Sequence, residues 1–186
     1  VGALGAILLA VSKSSLTRTN LTEAVETTTE ITAMVFMILL GSSIFSLVFR
    51  GFGGDDLITG IFTELPGGAF GAVLVVMVII FLLGFILDFI QITLVVVPIV
   101  GPALLMLGVD PIWLGIMIAI NLQTSFLTPP FGFALFYLRG VAPDTLATKD
   151  IYRGVIPFIL IQLGVLIALA IFPDLVTALP RAVYGN

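Results

Sequence analysis

Hydroxyl and amide side chains recur at helical spacing within an otherwise apolar segment of the chain. The stretch NLQTSFLTPPFG places Asn121, Thr124, Ser125 and Thr128 at positions i, i+3, i+4 and i+7, and residues 111–138 around it include no charged residue. This spacing puts the four side chains on one face of a helix. Because unsatisfied polar groups are costly in lipid, we expect this face to contact other protein or water.

Two consecutive prolines follow this polar face. Pro129 and Pro130 have no amide hydrogen, so an intact helix would leave the carbonyls of Ser125 and Phe126 without their usual donors. Each proline also disfavours the helical conformation in the residue before it. We therefore predict that the helix unwinds here and restarts after Gly132, which has no side chain to restrict the backbone.

A helix broken inside the membrane can expose carbonyl and hydroxyl oxygens to a bound cation. Transporters use such breaks in this way, and they direct the N-terminus of the second half-helix at anions. A site made only of weakly charged oxygens suits Na⁺ better than a divalent cation, which usually recruits carboxylates. The sequence is equally compatible with a simple kink whose carbonyls are satisfied by Ser and Thr hydroxyls. The candidate cation ligands in this segment are Asn121, Ser125, Phe126, Thr128, Pro129 and Gly132.

A second polar cluster interrupts the apolar stretch GFILDFIQITLVVVP. Asp88, Gln91 and Thr93 stand between two apolar runs that leave almost no room for a loop. The cluster is therefore either a tight turn at the membrane surface, in which Asp88 only caps a helix, or the tip of a re-entrant hairpin. Within the membrane a carboxylate is expensive to bury and is by default functional. Only the second reading makes these three residues candidates for the cation site. Pro98 and Pro102 predict that the next helix is irregular.

The composition predicts an all-α, polytopic membrane protein. Hydrophobic residues make up 60% of the 186 residues, charged residues only 10%, and the mean hydropathy is +1.28, whereas about a quarter of the residues of soluble domains are charged. Uncharged runs long enough to cross a bilayer as helices cover residues 31–49, 69–87, 89–109 and 154–173. Asp110 and Pro111 are a typical helix start.

We expect one membrane domain over residues 1–186, belonging to a longer polypeptide. Residues 1–68 would hold a truncated helix, a long helix and an interfacial segment, residues 69–143 the hairpin and broken helix, and residues 144–186 the last span and a tail. The pattern Asn20 and Glu23 resembles a capping box and predicts that the long helix starts at Leu21.

Several function classes are disfavoured by what the sequence lacks. There is no Cys and no His, which removes disulfides, thiolate metal sites and the commonest general base. The net charge of −4 comes without a basic patch, so no nucleic-acid partner is expected. No arrangement of Ser with His, or of paired Asp, favours an intramembrane enzyme, and no cofactor is expected.

At the family level, the stretch DFIQITLVVVPIVGPALLMLGVDPIWLGIMIAINLQTSFLTPPFGFALFYLRGVAP resembles the C-terminal half of the DctM-like large permease subunit of tripartite ATP-independent periplasmic (TRAP) transporters. The family pattern is a hairpin with Asp, a Pro-rich helix, a Gly-Asp-Pro joint, an Asn, and TPP-x-G followed by a Leu-Phe pair. Here these elements stand at Asp88, Pro98 and Pro102, residues 108–111, Asn121, residues 128–132, and Leu135 with Phe136. The chain departs from the pattern at Phe89, where Pro is usual.

The resemblance implies an elevator-type secondary transporter of the bacterial inner membrane, built from two inverted repeats of which only the second is present. It implies Na⁺ as the coupling ion and an organic acid, such as a C4-dicarboxylate, as substrate. The implied partners are a periplasmic substrate-binding protein, a small membrane subunit, the N-terminal half of the same permease and the lipid bilayer.

By the same resemblance, residues 88–93 would face the broken helix at residues 128–132 with one Na⁺ between them. The substrate carboxylate would lie near the same tip, helped by the start of the second half-helix. The candidate substrate-binding residues are Thr93, Thr124, Thr128 and Phe131.

The sequence is compatible with two alternative functions. The chain is compatible with another ion-coupled carrier or a channel of similar architecture, which would not depend on a binding protein. It is also compatible with a non-transporting scaffold subunit, in which the polar face joins helices to each other.

Overall fold

The computed structural model describes residues 2–129, 132–143 and 146–184, and these form helices joined by short connections, without a strand. The predicted all-α class is confirmed. The helices are α1 (Gly2–Ser12), α2 (Arg18–Gly51), α3 (Gly54–Glu64), α4 (Gly68–Leu83), α5 (Phe89–Gln91), a π-helical turn (Ile92–Val96), α6 (Val97–Met106), α7 (Pro111–Leu127), α8 (Phe133–Val141), α9 (Thr148–Ile171) and α10 (Asp174–Tyr184).

Several helices are long and apolar enough to cross a membrane. Among the described residues these are α2, α9 and the continuous helix Phe89–Met106, which joins α5, the π turn and α6. The pair α3 and α4 adds a fourth candidate, bent by 113° at the connection between them. The predicted polytopic membrane protein is therefore confirmed.

The chain divides into two compact units, and the first comprises residues 1–43. The start of α2 in this unit differs from the prediction. Its cap is Thr17, whose Oγ1 accepts the Asn20 amide at 3.1 Å, while the Asn20 side chain donates to the Ser15 carbonyl at 3.0 Å. The predicted capping box starting at Asn20 is thus wrong, because a suitable hydroxyl stands three residues earlier and the helix begins at Arg18.

The second unit, residues 44–186, contains the main core. Its buried side chains come from α3, α4, α6 and α7, together with Ile92 of the π turn. Ala72 and Ile80 on α4 and Leu104 on α6 are fully buried, so these helices approach closely. Core members are Phe62, Ala72, Val73, Val76, Ile80, Ile92, Ala103, Leu104, Leu114, Ile118 and Leu122.

The segment from α4 to α6 is a helical hairpin. The amide of Gly84 donates to the Ile80 carbonyl at 2.9 Å and that of Leu87 to the Leu83 carbonyl at 2.8 Å, which tightens the turn at residues 84–88. The next helix then starts immediately after Asp88, so residues 89–93, predicted to belong to the tip of the hairpin, are helical instead, because Asp88 already caps the helix. We call residues 84–88 the hairpin turn.

The irregularity predicted around Pro98 takes the form of the π turn. The Val97 amide donates to the Ile92 carbonyl, five residues back rather than four. Such a turn is a common response to a missing donor, and Pro98 has no amide. The helix then continues through Pro102 to Met106 without interruption.

The helix predicted to unwind before the two prolines does so. Asp110 caps α7, with its Oδ1 accepting the amides of Ile112 and Trp113, each at 2.9 Å. The helix ends at Leu127, and Thr128 is extended with φ −84° and ψ 123°. The chain returns to a helix at Phe133. We call the segment between α7 and α8 the break, and residues 130 and 131 within it lie outside the described ranges.

Candidate functional site

The hairpin turn packs directly against the last turn of α7. A Cβ placed on Gly84 would overlap the Oγ of Ser125 and come within 2.8 Å of its Cβ. Only glycine therefore allows this approach. Ser125 itself has no exposed surface, and its hydroxyl donates to the Leu122 carbonyl at 2.8 Å.

Two further contacts join the hairpin to α7. The Nδ2 of Asn121 donates to the Met77 carbonyl of α4 at 2.8 Å. The rings of Phe89 and Phe126 meet edge to face, with their centroids 6.1 Å apart. The structure thus places the hairpin against the end of α7, and the α7 residues that it contacts all precede the break.

The hydroxyl groups of the polar face all use their protons within α7. Thr124 Oγ1 donates to the Ile120 carbonyl at 2.7 Å, and Thr128 Oγ1 donates to the Thr124 carbonyl at 2.7 Å. A carbonyl can only accept, so in each pair the hydroxyl supplies its single proton. The hydroxyl oxygens keep lone pairs but have no proton left, which suits a cation and does not suit an anion.

The backbone at the break is more fully bonded than the sequence predicted. The Ser125 carbonyl, expected to lose its donor to Pro129, accepts the Thr128 amide at 3.1 Å instead. The Thr128 carbonyl in turn accepts the Gly132 amide at 3.0 Å. Gly132 has no room for a side chain, since a Cβ there would overlap the Phe126 carbonyl oxygen. Thr128 is half-buried at this point.

Asp88 and Gln91 form a reciprocal capping box at the start of the second hairpin helix. The Gln91 Oε1 accepts the Asp88 amide at 3.3 Å, and the Asp88 carboxylate faces the Gln91 amide. Both side chains are half-buried. Asp88 therefore has a structural role as a cap, and its carboxylate also places a negative charge beside the hairpin turn.

The π turn leaves the Thr93 carbonyl without a helical donor. The amide four residues on, that of Val97, is used by Ile92, and the residue five on is Pro98, which has no amide. Thr93 is exposed and lines a cavity of about 530 Å³ together with Phe89, Gln123 and Phe126. Thr93 thus combines a carbonyl that has no helical donor with a position on the hairpin side of this cavity.

The chain is similar to known permeases along nearly its whole length. The family model described as "Tripartite ATP-independent periplasmic transporter, DctM component" matches residues 1–175. The chain belongs to the DctM family. It is a multi-pass protein of the bacterial inner membrane, as the family and the apolar spans together require.

Three relatives illustrate the relation of this chain to other DctM proteins. The sialic acid TRAP transporter large permease protein SiaM of Vibrio cholerae is 27% identical over 92% of this chain and 40% of the relative. The ectoine/5-hydroxyectoine TRAP transporter large permease protein UehC of Ruegeria pomeroyi is 30% identical over 87% of this chain and 37% of the relative. The C4-dicarboxylate TRAP transporter large permease protein DctM of Pseudomonas aeruginosa is 30% identical over 82% of this chain and 35% of the relative. The chain thus spans two fifths or less of the length of each.

Within this DctM chain, the structure groups some of the predicted site residues and separates others. Ser125 and Phe126, in the last turn of α7, contact the hairpin at Gly84 and Phe89, and Thr93 shares a cavity with Phe126. Thr128 follows directly after α7. Asn121 lies one turn earlier and is bound to α4. Thr124 is fully buried and has no open surface. The predictions for Pro130 and Phe131 lie outside the described residues.

Gly84 and the Thr93 carbonyl were missed by the sequence reasoning. Gly84 matters through a contact with α7, some forty positions away, and nothing in its neighbours signals that contact. The Thr93 carbonyl had a local signal, because a proline five residues later removes a donor from the helix.

Proposed function

We propose that this chain is the C-terminal half of a TRAP large permease, which transports an organic acid across the inner membrane by secondary active transport. The observation that carries the proposal is the match of the DctM family to residues 1–175. The packing of the hairpin turn on the last turn of a broken helix supports it, because transporters place binding sites at such breaks. On this reading the chain is a transporter component and not an enzyme.

An organic acid is the substrate class that the relatives favour. Their names give sialic acid, ectoine, C4-dicarboxylates and 2,3-diketo-L-gulonate. These compounds differ in size and shape, but each carries a carboxylate. A further relative is named for isethionate, whose acid group is a sulfonate, so a site for the anionic acid group, with the rest of the pocket varying, accounts for the range.

The coupling ion in this proposal is Na⁺, held between the hairpin and the break. The ligands we assign are the Thr93 carbonyl, the Thr128 hydroxyl and the negative charge of Asp88. The hydroxyl protons committed within α7 support this assignment, because they leave only lone pairs for a ligand. Among the described residues, no group of three His, Cys, Asp or Glu side chains forms a site for a transition metal or a divalent ion.

The substrate carboxylate needs hydrogen-bond donors, and the three hydroxyls of the polar face have already used their protons within α7. Of the candidate side chains, Thr93 is exposed on the hairpin. The start of α8, next to Phe131 in sequence, supplies backbone amides and the positive end of a helix dipole. We therefore assign the carboxylate to Thr93 and the start of α8, while Thr128 serves the cation side and the fully buried Thr124 contacts neither ligand.

Transport requires parts that lie outside this chain. The proposal includes the N-terminal half of the permease, a small membrane subunit and a periplasmic binding protein that delivers the substrate. Movement of the hairpin and broken helix as one body, in an elevator mechanism, is the form of alternating access that the inverted-repeat resemblance favours.

The test is uptake of a labelled organic acid by proteoliposomes that hold the complete permease and the small subunit. We expect uptake only when the binding protein is added. Uptake at the same rate without the binding protein would instead support an independent carrier or channel. The absence of uptake with every candidate acid and its matched binding protein would support a scaffold subunit.

A further inference from the structure

A continuous trough runs along the second unit at the end of α7 opposite the hairpin turn. Its larger part, about 500 Å³, lies between α4, α7 and α9 and is lined almost entirely by apolar side chains, including Leu74, Met117 and Leu166. Asn121 is its single polar lining residue. The volume is within the range of roughly 300–1,000 Å³ that is usual for small-molecule sites.

The trough opens at one end into a polar mouth of about 360 Å³. The two spaces share four lining residues, Phe70, Val73, Trp113 and Ala170, so they form one groove. Its polar lining consists of Asp110, Asp174, Thr177 and Arg181. An apolar channel with charges at one end has the shape of a site for an amphiphile.

The mouth contains charges of both signs. Arg181 Nη1 pairs with Asp174 Oδ1 at 3.2 Å, and the Arg181 side chain is 54% exposed. This pair uses one of the five N–H donors of the guanidinium. Asp110 uses its Oδ1 for the two amides at the start of α7. With two carboxylates and one guanidinium, the mouth disfavours a ligand that is only anionic and suits one with a cation and an anion.

The residues around the mouth are of the kinds found at the surface of a bilayer. Trp113 stands where the two spaces join, and its Nε1 donates to the Leu169 carbonyl of α9 at 2.8 Å. Tryptophan is enriched at the membrane interface. Helix α10 carries both apolar and charged side chains. Leu175, Leu179 and Val183 are exposed and apolar, whereas Asp174 and Arg181 are charged. A short amphipathic helix of this kind lies along the interface.

We propose that this groove binds one zwitterionic phospholipid, with an acyl chain between α4, α7 and α9 and the headgroup in the mouth. Arg181 donates to the lipid phosphate, and the carboxylates of Asp110 and Asp174 accept from an ammonium group. Phosphatidylethanolamine has this pair of charges. The side chains that flank the apolar part, Phe70, Leu74 and Ile167, are themselves exposed, as expected for a surface open to lipid.

The first test is the retention of lipid by the complete permease that contains this chain. The permease is purified in mild detergent, washed with excess detergent, mixed with equal amounts of phosphatidylethanolamine and phosphatidylglycerol, and analysed by native mass spectrometry. We expect a bound phospholipid, with the ethanolamine lipid preferred. In Ala170→Trp the new ring fills the groove, and we expect retention to fall about tenfold. Leu160→Trp, on an exposed part of α9 outside the groove, is the matched control.

The second test separates the headgroup contacts. Asp110→Asn keeps a side chain that caps α7 about equally well and removes only the charge. We expect it to shift the preference toward phosphatidylglycerol by about tenfold. Arg181→Gln lowers the retention of both lipids, whereas Arg153→Gln, in an exposed basic residue outside the groove, changes neither.

Three outcomes would overturn the proposal. One is wild-type permease without bound phospholipid, which would mean that another protein segment fills the groove. Another is equal retention by Ala170→Trp and Leu160→Trp. The third is an unchanged lipid preference in Asp110→Asn. If Ala170→Trp gives little folded permease, Ala170→Phe introduces a smaller ring at the same place and is expected to lose the lipid as well.

Discussion

At the scale of residues, the ligand preference at the end of α7 depends on which hydroxyl protons are already in hydrogen bonds. The hydroxyls of Thr124, Ser125 and Thr128 each donate to a carbonyl of their own helix. The polar face was predictable from the sequence, because the spacing of side chains on a helix is local. The preference of this face for a cation over an anion was not predictable. Only the hydrogen bonds show that the hydroxyls keep lone pairs and have no proton left to donate.

Gly84 fixes how closely the hairpin turn can approach α7. In Gly84→Ala, the methyl group would overlap Ser125, and overpacking of this kind costs about 1–3 kcal/mol. We expect a lower midpoint of thermal unfolding in the complete permease. Gly164→Ala, at a helical glycine with nothing within 4 Å of the added methyl group, is the control and should not lower it.

The same contact can be tested by relieving it. In the double variant Gly84→Ala with Ser125→Gly, the side chain that the new methyl group would overlap is gone. We expect the double variant to lose less free energy of unfolding than the sum of the losses in the two single variants. Strictly additive losses would show that the two residues do not touch and would contradict this packing.

Asp88 combines a cap with a charge, and the two roles can be separated. Asp88→Asn keeps the capping side chain but removes the negative charge beside the hairpin turn. Because a nearby negative charge raises the affinity for a cation, we expect the Na⁺ concentration for half-maximal uptake to rise about tenfold, with unchanged yield of folded permease. An unchanged Na⁺ requirement would mean that Asp88 is only a cap.

At the scale of elements, proline explains both the end of α7 and the π turn, but only the end of α7 was fully predictable. Pro129 ends α7 and the chain cannot continue as a helix. Around Pro98 the helix instead inserts a π turn and continues, and it passes Pro102 unchanged. A sequence indicates that a donor is missing. It does not indicate whether a neighbouring helix supports the chain well enough to keep it helical.

The start of α2 shows the same limit. Thr17 and Asn20 are both good caps, and the structure uses Thr17 because the Asn20 side chain is bound to Ser15. Helix ends that depend on a choice between equivalent local options are therefore the least predictable part of this fold.

Pro98→Ala tests the link between the π turn and the cation site. The new amide can donate to the Thr93 or Leu94 carbonyl, so the helix can relax to a regular α-helix and the Thr93 oxygen is no longer free for an ion. We expect the Na⁺ concentration for half-maximal uptake to increase about threefold or more. Pro102→Ala removes a proline from the same helix outside the π turn and should leave it unchanged. Equal effects of both changes would contradict a specific role for Thr93.

At the scale of the whole molecule, this DctM chain supplies one hairpin and one broken helix that meet at the end of α7. The membrane class was predictable from composition, because long uncharged runs allow few other solutions. The meeting of the hairpin and α7 was predicted only through the family resemblance, since no local rule connects residues so distant in sequence. The central claim is that this meeting place binds the ion that drives transport.

The most direct test of that claim compares Na⁺-driven uptake by the complete permease in three forms, wild type, Thr128→Ala and Thr29→Ala. Thr29 makes the same bond as Thr128, from its Oγ1 to the carbonyl four residues earlier, at 2.8 Å, but on an exposed part of α2. In proteoliposomes with the binding protein and an imposed Na⁺ gradient, we expect Thr128→Ala to raise the Na⁺ concentration for half-maximal uptake about tenfold, and Thr29→Ala to match the wild type. Uptake by Thr128→Ala with the wild-type dependence on Na⁺ would contradict an ion site at the broken helix.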